Sequence, residues 1–410
     1  MSIKYHQTTL ETGMTIIAET DDDAHSCATG FFVKAGARDE SPAIMGVSHF
    51  LEHMMFKGTQ ELSPEQINQG FDNLGANNNA YTSRELTCFY ASVIPEHFSD
   101  AQSLLAKMMR PALRQSDFDT EKGVILEEIA MYADNPFWVL YEESLARHYN
   151  RHGLGHRVLG TNETITALTR DQMDEYFTRR YAADKTVVAL AGKLDFDDAI
   201  QQINTLCDGW QQSVGQRETT TPTVGAEPFT LRDPRVQRGY LIAIAQAPPA
   251  NDEQRYAAAL LMQMLGGMDN SKLHWALIET GIAEEAQAGY DGLDGTGDYF
   301  VYASGDPEKL DDIWEAMARE IRALKDTITQ DELVCLRSKM ATAAMVAAER
   351  PGDRMQRLGR LWTMTGQYQP LEDELAKIES ITIDDLRDLC DRYPIDRCTL
   401  GKMIPADARA

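Results

Sequence analysis

Two histidines and a glutamate in one short segment have the spacing of a metal-dependent catalytic site. Residues 46–56 read Gly-Val-Ser-His-Phe-Leu-Glu-His-Met-Met-Phe, which places His49, Glu52 and His53 in the order H-x-x-E-H. On a helix, His49 and His53 leave the same face one turn apart, so two neutral imidazoles can bind one Zn²⁺ at about 2.0–2.1 Å. Glu52 borders that face, where it can act as a general base. The alternative is a buried helix that carries two histidines without a metal.

A third ligand must come from another segment, because a catalytic zinc usually takes three protein ligands and a water. The candidate is an acidic helix near residues 117–133, on which Glu121 and Glu128 share a face two turns apart. Glu128 could bind the metal directly, while Glu121 could hold a metal ligand in place without touching the metal. The spacing alone leaves open an ordinary acidic, solvated helix face.

The elements that position these residues recur along the chain at an offset near 210 residues. A strand at 88–93 is followed by helices at 98–110 and 117–133, and upstream a strand at 29–33 precedes a helix at 42–56. The corresponding second-half elements are strands at 239–243 and 299–304 and helices at 252–265, 309–324 and 329–349. Such a sustained offset predicts duplication of one unit. We therefore expect an α+β fold with two homologous α/β-roll halves, each an antiparallel-rich sheet packed with helices.

A polar stretch separates the two halves. Residues 211–228 lack apolar periodicity and are rich in Thr, Gly, Pro and Gln, as linkers are. We predict a metal-bearing catalytic half at 1–214, a linker at 215–228 and a homologous half at 229–410.

The second half carries no ligands at the corresponding positions. Residues 259–265 read Ala-Leu-Leu-Met-Gln-Met-Leu, and Lys339 and Met340 lie near the position that corresponds to Glu128. One half thus keeps the polar set and the other has lost it, which favours a functional site over a structural one.

Composition narrows the function classes. The net charge of −25 argues against non-specific nucleic-acid binding, and it indicates either simple solubility or an acidic chamber that attracts basic peptides. The six cysteines contain no C-x-x-C pair, which excludes a thiolate zinc knuckle. Because no signal peptide or membrane-spanning stretch is evident, a cytoplasmic protein of bacterial type is expected.

At these residues the chain resembles the pitrilysin/insulinase family of inverted-motif zinc peptidases, over essentially its whole length. The resemblance is strongest to the shorter bacterial members and to the mitochondrial processing peptidase β-subunit. In that family a pair of glutamates seven residues apart supports catalysis and binds zinc, in that order. The resemblance therefore implies one Zn²⁺ per chain on His49, His53 and Glu128 rather than Glu127, with Glu52 and Glu121 as catalytic residues.

The resemblance also implies a substrate-binding strand. Residues 79–87 resemble the family's edge strand, which pairs with extended substrate, so Asn79, Ala80 and Tyr81 are candidate substrate-binding residues. The alternative for this segment is an ordinary strand with a polar turn.

One departure from the family concerns the second half. Active single-chain relatives usually carry an Arg…Tyr pair that holds the substrate carbonyl, but Leu277 or Ile278 and Glu284 occupy these places here. Lys272 and His274 lie nearby in the sequence and could substitute.

The implied activity is zinc-dependent endopeptidase hydrolysis of peptides or small unfolded polypeptides, within a dimeric chamber. The dimer is expected to be a homodimer, or a heterodimer with a metal-less homologous subunit that carries the Arg…Tyr pair. The alternatives are a non-catalytic peptidase-like scaffold and a peptide-binding subunit.

Overall fold

The structure is a computed structural model that describes residues 3–213, 217, 222–225, 227–267 and 269–407. Its helices are α1 Val47–Met55, α2 Pro64–Asn73, α3 Phe98–Met108, α4 Gln115–Ala133, α5 Pro136–His148, α6 Asn162–Ala167, α7 Arg170–Arg180, α8 Phe196–Leu206, α9 Arg255–Gly266, α10 Leu310–Thr327, α11 Gln330–Ala348, α12 Pro351–Thr365, α13 Leu371–Ser380 and α14 Ile383–Arg392. Its strands are β1 Lys4–Thr9, β2 Thr15–Thr20, β3 Cys27–Val33, β4 Asn77–Thr82, β5 Thr87–Val93, β6 Thr186–Gly192, β7 Phe229–Asp233, β8 Gly239–Ala247, β9 Glu285–Leu293, β10 Thr296–Gly305 and β11 Cys398–Pro405. These elements form two compact units.

The first unit contains a six-stranded sheet in the order β1-β2-β6-β3-β5-β4. Strands β2 and β6 pair in parallel, whereas the other neighbours pair antiparallel. Successive side chains of a strand point to opposite faces, so Phe31 and Phe32 of β3 enter two different hydrophobic clusters. The cluster around Phe31 includes residues of α1, α3 and α4, and the cluster around Phe32 includes Met355 and Leu358 of α12.

Helix α12 lies close against this sheet. A Cβ atom added to Gly359 would stand 2.1 Å from the ring of Phe32, so only glycine permits this approach. The helix that covers this face therefore comes from residues 345–369, far along the chain from the strands that it covers.

The second unit contains a five-stranded sheet in the order β7-β11-β8-β10-β9. One face packs against α9, α10 and α14, with Leu241 and Ala243 of β8 in that cluster. The other face packs against α5, where Ile242 of β8 meets Leu140 and Leu145. Each unit is thus a mixed sheet between one helix and a layer of several helices.

The α+β class and the two homologous halves predicted from the sequence are confirmed. The sequence placed the boundary between the two halves at residues 215–228. The compact units depart from that boundary in two segments: residues 130–155 belong to the second unit, and residues 345–369 belong to the first. Half of the predicted linker, residues 215, 216, 218–221 and 226, lies outside the described residues. Across the described part of the chain, we find no helix with the length and apolar character that crossing a bilayer requires.

Candidate metal centre

Helix α1 has a fixed starting point that sets the orientation of its histidines. Gly46 precedes the helix at φ +94°, and a Cβ there would stand 2.6 Å from the Leu159 carbonyl oxygen. The backbone N–H groups of Gly46 and Ser48 donate to the two carboxylate oxygens of Glu40, at 2.7 and 2.8 Å. These bonds satisfy donors that a helix N-terminus otherwise leaves free. The helix predicted over 42–56 therefore begins only at Val47.

Helix α4 packs directly against α1. The rings of Phe50 and Phe118 stack with centroids 4.7 Å apart, and Ile125 is fully buried on the same face of α4. Glu121 precedes Ile125 by one turn and Glu128 follows it by nearly one turn, so the shared face predicted from the sequence is turned toward α1.

Three donor atoms converge between these two helices. His49 Nε2 and His53 Nε2 lie 3.8 and 3.6 Å from Glu128 Oε2, and the donor atoms of all three residues lie within 4.8 Å of one another. Zinc bonds of about 2.0–2.1 Å in a tetrahedral arrangement place neighbouring donors about 3.3 Å apart. The two distances to Glu128 are therefore within about 0.5 Å of the separation that one zinc requires. Glu127, by contrast, is exposed on another face of α4.

The protonation of His49 also fits a metal ligand. Burial, reinforced by the neighbouring His53, lowers the pKa of His49 to about 4. The imidazole is therefore neutral near pH 7, and neutral imidazole is the form that binds a metal.

Glu121 contacts the ring nitrogen of His53 that faces away from Glu128. The His53 Nδ1–H donates to Glu121 Oε1 at 2.8 Å, and Lys57 Nζ lies 2.6 Å from Glu121 Oε2. Burial alone would raise the pKa of Glu121, but His53 and Lys57 hold it below its usual value. Burial likewise opposes the charge of His53, yet the bond to Glu121 and the nearby carboxylates raise the pKa of His53 overall. With Nδ1 engaged in this way, Nε2 is directed toward Glu128.

Glu52 lies beside the three donors but is not one of them. Its Oε2 accepts a hydrogen bond from Thr82 Oγ1 at 2.6 Å, and the residue is 9% exposed. Burial raises the pKa of Glu52, and Glu128 adds to this, whereas Thr82 and His53 oppose it. A buried carboxylate beside the three donors, with one hydrogen bond that holds it in place, is positioned to accept and release a proton.

Strand β4 is an edge strand, as the resemblance implied, because it is the last strand in its sheet and pairs with β5. Asn79 is exposed, and its Oδ1 accepts the N–H of Ala80 at 2.9 Å. Tyr81 Oη donates to Gln356 Oε1 of α12 at 3.1 Å. Thr82, the last residue of β4, contacts Glu52. The substrate-binding role of Asn79, Ala80 and Tyr81 stays a prediction.

Three residues that contact the site or the start of α1 were not predicted from the sequence. Lys57 follows His53 by four residues, just beyond the end of α1, and this spacing of about one helical turn was a usable signal. Thr82 had a weaker signal, as the last polar residue of the edge strand. Glu40 had none, because its contacts depend on the turn that precedes α1.

The second unit has no histidine or carboxylate at the positions that correspond to the three donors. Helices α4 and α11 have equal lengths and are followed at the same distance by Pro136 and Pro351, which makes their offset 215 residues. Glu128 therefore corresponds to Ala343, and not to the neighbourhood of Lys339 and Met340.

The places of the family's Arg…Tyr pair are occupied by residues with other contacts. Leu277 is fully buried in the core of the second unit, and Glu284 pairs with Arg238. Lys272 Nζ lies 2.5 Å from Glu332 Oε1 and donates to the Thr327 carbonyl at 3.0 Å. Lys272 is therefore already committed to contacts in its own unit.

Solved structures share this architecture. A protease from Helicobacter pylori superimposes with a TM-score of 0.91 at 19% identity, and the match covers 98% of this chain and 100% of that one. A chain of Complex III2 from Candida albicans matches with a TM-score of 0.83 at 18% identity, over 99% of this chain and 96% of that one. These likenesses show the fold.

Sequence comparisons show the family. The profile described as Insulinase (Peptidase family M16) matches residues 15–162, and the profile described as Peptidase M16 inactive domain matches residues 167–340. An uncharacterized zinc protease of Streptomyces coelicolor is 30% identical over 391 residues, covering 93% of this chain and 85% of that protein. The uncharacterized zinc protease YmxG of Bacillus subtilis is 28% identical over 401 residues, covering 97% and 98%. The chain therefore belongs to the insulinase family, peptidase family M16.

Proposed function

We propose that this chain is a zinc-dependent endopeptidase that holds one Zn²⁺ on His49, His53 and Glu128. The observation that carries the proposal is the convergence of their three donor atoms beside Glu52. Two imidazoles and one carboxylate form a known catalytic zinc ligand set, which leaves a fourth position for water or substrate. The low pKa of His49 supports the same conclusion.

An extended peptide is the substrate that suits the neighbouring strand. The open edge of β4 offers backbone hydrogen bonds that do not depend on the substrate's side chains. A peptide paired along residues 79–81 would pass Thr82 and reach Glu52, because Thr82 Oγ1 is 2.6 Å from Glu52. The expected substrates are therefore short or unfolded polypeptides that can adopt an extended conformation.

The protein's own residues divide the catalytic work. When bound, zinc supplies Lewis acidity toward water and the substrate carbonyl. Glu52 takes the proton of the attacking water and passes it to the leaving amine, for which its raised pKa is suited. Thr82 holds the Glu52 carboxylate in place, and Glu121 with Lys57 fixes the orientation of His53.

The test is hydrolysis of an internally quenched peptide by the purified chain. Activity should disappear after treatment with a chelator and return with stoichiometric zinc. Glu52→Gln should keep its zinc content but lose about 10²–10⁴ or more in rate, whereas Glu127→Gln should keep both. Wild-type turnover by Glu52→Gln, or turnover that survives metal removal, would show that the proposed mechanism is wrong.

We further propose that full activity requires a second subunit. The chain lacks the Arg…Tyr pair, and Lys272 is engaged with Glu332 and Thr327. A metal-less homologous chain carrying that pair would complete the site, and the two chains together would form a chamber for small polypeptides. A non-catalytic scaffold or peptide-binding subunit remains the alternative, and it predicts zinc binding without turnover in every combination of chains.

A further inference from the structure

Arg217, in the segment predicted as a linker, is buried among charged groups of the first unit. Its side chain is only 6% exposed. The guanidinium donates to both carboxylate oxygens of Asp39, from Nε at 3.0 Å and from Nη2 at 2.6 Å. Nη2 also donates to the backbone carbonyl oxygen of Glu85, and Nη1 lies 3.6 Å from the Glu85 carboxylate. One arginine therefore bridges two residues that are far apart in the sequence.

The two partners of Arg217 belong to two turns that contact each other. Residues 36–39 form one turn, and residues 83–86 form the other, which connects β4 to β5. The backbone N–H of Ala37 donates to the carbonyl oxygen of Ser83 at 3.2 Å. A Cβ atom added to Gly36 would stand 2.5 Å from the same oxygen, so a larger residue would push the turns apart. The arginine adds a connection between the turns through its side chain.

Each turn leads directly to one partner of a hydrogen bond in the proposed catalytic site. Residues 83–86 follow Thr82, whose hydroxyl donates to Glu52 at 2.6 Å. Asp39 precedes Glu40, whose carboxylate accepts two N–H groups at the start of α1, the helix that carries Glu52. The placement of one turn relative to the other therefore sets the position of the Thr82 hydroxyl relative to the Glu52 carboxylate.

We propose that Arg217 is a positioning residue for peptide hydrolysis, acting through Thr82 on Glu52. Its planar guanidinium donates to a carboxylate and to a carbonyl oxygen at once, which the single ammonium group of a lysine does not reproduce. A misplacement of about 1 Å in a catalytic group can lower a rate by about 10²-fold. The inference rests on the proposed function for its catalytic readout.

Arg180 offers a matched control, because it contacts the same carboxylate. Its Nη1 lies 3.2 Å from Asp39 Oδ1, and its Nη2 donates to the Asp39 carbonyl oxygen at 3.2 Å. Within the described part of the chain, Arg180 makes no hydrogen bond or ion pair with residues 83–86. Arg180→Lys and Arg217→Lys are thus the same chemical change beside Asp39, and both keep the positive charge there. Only Arg217→Lys loses the bridge between the two turns.

The first measurement is hydrolysis of an internally quenched peptide by the full-length, zinc-loaded chain. Arg217→Lys should lower kcat at least tenfold and change KM and zinc affinity by less than threefold. Arg180→Lys should change kcat by less than twofold. Wild-type kcat in Arg217→Lys, or equal losses of kcat in the two variants, would overturn the proposal.

A double-mutant cycle tests the route through Thr82. Thr82→Val removes the hydroxyl that contacts Glu52 and keeps the shape of the side chain. When Arg217→Lys is added to Thr82→Val, kcat should fall by less than a further twofold, because the hydrogen bond that Arg217 supports is already absent. Losses that multiply would show that Arg217 acts independently of Thr82 and would refute the route.

Hydrogen–deuterium exchange of the metal-free chain tests the bridge without catalysis. The amides of residues 36–39 and 83–86 should exchange at least fivefold faster in Arg217→Lys than in the wild type or Arg180→Lys. Equal exchange in all three chains would refute the bridge and leave the catalytic proposal intact. Faster exchange in Arg217→Lys, together with a zinc-loaded wild type that hydrolyses no peptide, would confirm the bridge but overturn both the catalytic proposal and the catalytic role of Arg217.

Discussion

Replacing Glu128 and Glu127 separately gives a sharp test of the metal centre. The two glutamates are adjacent on α4 and have the same charge, so their glutamine variants change net charge and helix propensity equally. Only Glu128 contributes to the three-donor cluster, with Oε2 at 3.8 and 3.6 Å from the two imidazole nitrogens. Glu127 is exposed on another face. Any difference between the two variants therefore reports ligation and not general electrostatics.

The expected size of the effect follows from typical zinc affinities. Four-ligand zinc peptides bind with about 10–16 kcal/mol, or about 2.5–4 kcal/mol for each ligand. Losing one ligand therefore weakens binding by about 10²–10³-fold. Glu128→Gln should fall at the lower end, because the glutamine carbonyl oxygen remains a weak ligand. Glu127→Gln should change the dissociation constant by less than about threefold, since only a screened surface charge is lost.

The assay is competition for zinc against a fluorescent chelator of known affinity, on both variants and the wild type at one pH and ionic strength. Circular dichroism checks that each variant is folded. Equal dissociation constants for the two variants would refute the assignment of Glu128, whether both stayed at the wild-type value or both rose. A larger loss in Glu127→Gln would place the ligand one residue earlier.

The other predictions concern support, stability and assembly. Glu121→Gln should weaken zinc binding by about 10–100-fold in the same competition assay, because His53 loses its ionised acceptor; unchanged affinity would contradict a supporting role. Glu40→Gln should lower stability by about 1–3 kcal/mol, since its amide cannot accept from both helix N–H groups, and thermal unfolding should show a lower Tm than for the exposed control Glu11→Gln. Peptide hydrolysis by the isolated chain should rise at least tenfold when a homologous subunit supplies an Arg…Tyr segment; full activity alone, unaffected by Lys272→Ala, would contradict the heteromer.

Local sequence patterns identified the elements of the site well. The strands and helices predicted at 88–93, 98–110 and 117–133 appear as Thr87–Val93, Phe98–Met108 and Gln115–Ala133. The apolar residues of Phe98–Met108 recur with helical spacing, and Thr87–Val93 is a short run that is rich in apolar residues, so both are read directly from the residue types.

The sequence did not reveal which sheet each helix covers. Helices α5 and α12 occupy corresponding places in the two halves, yet α5 packs on the second sheet and α12 on the first. An apolar helix face indicates that the face is buried, but it does not indicate which element covers it. The same limit applies to Glu40, whose two bonds to the start of α1 depend on the path of the intervening turn.

The two units show why chemistry could change without change of fold. Phe118 of α4 and Leu333 of α11 stand at corresponding positions, and both are almost completely buried in the cores of their units. Glu128 and Ala343 also correspond, but they lie on partly exposed helix faces, where a substitution creates no core cavity. The residues that hold each helix in place are thus distinct from those that face the site. A duplicated unit can therefore keep its packing while one copy retains polar metal-binding side chains and the other carries uncharged ones at the corresponding positions.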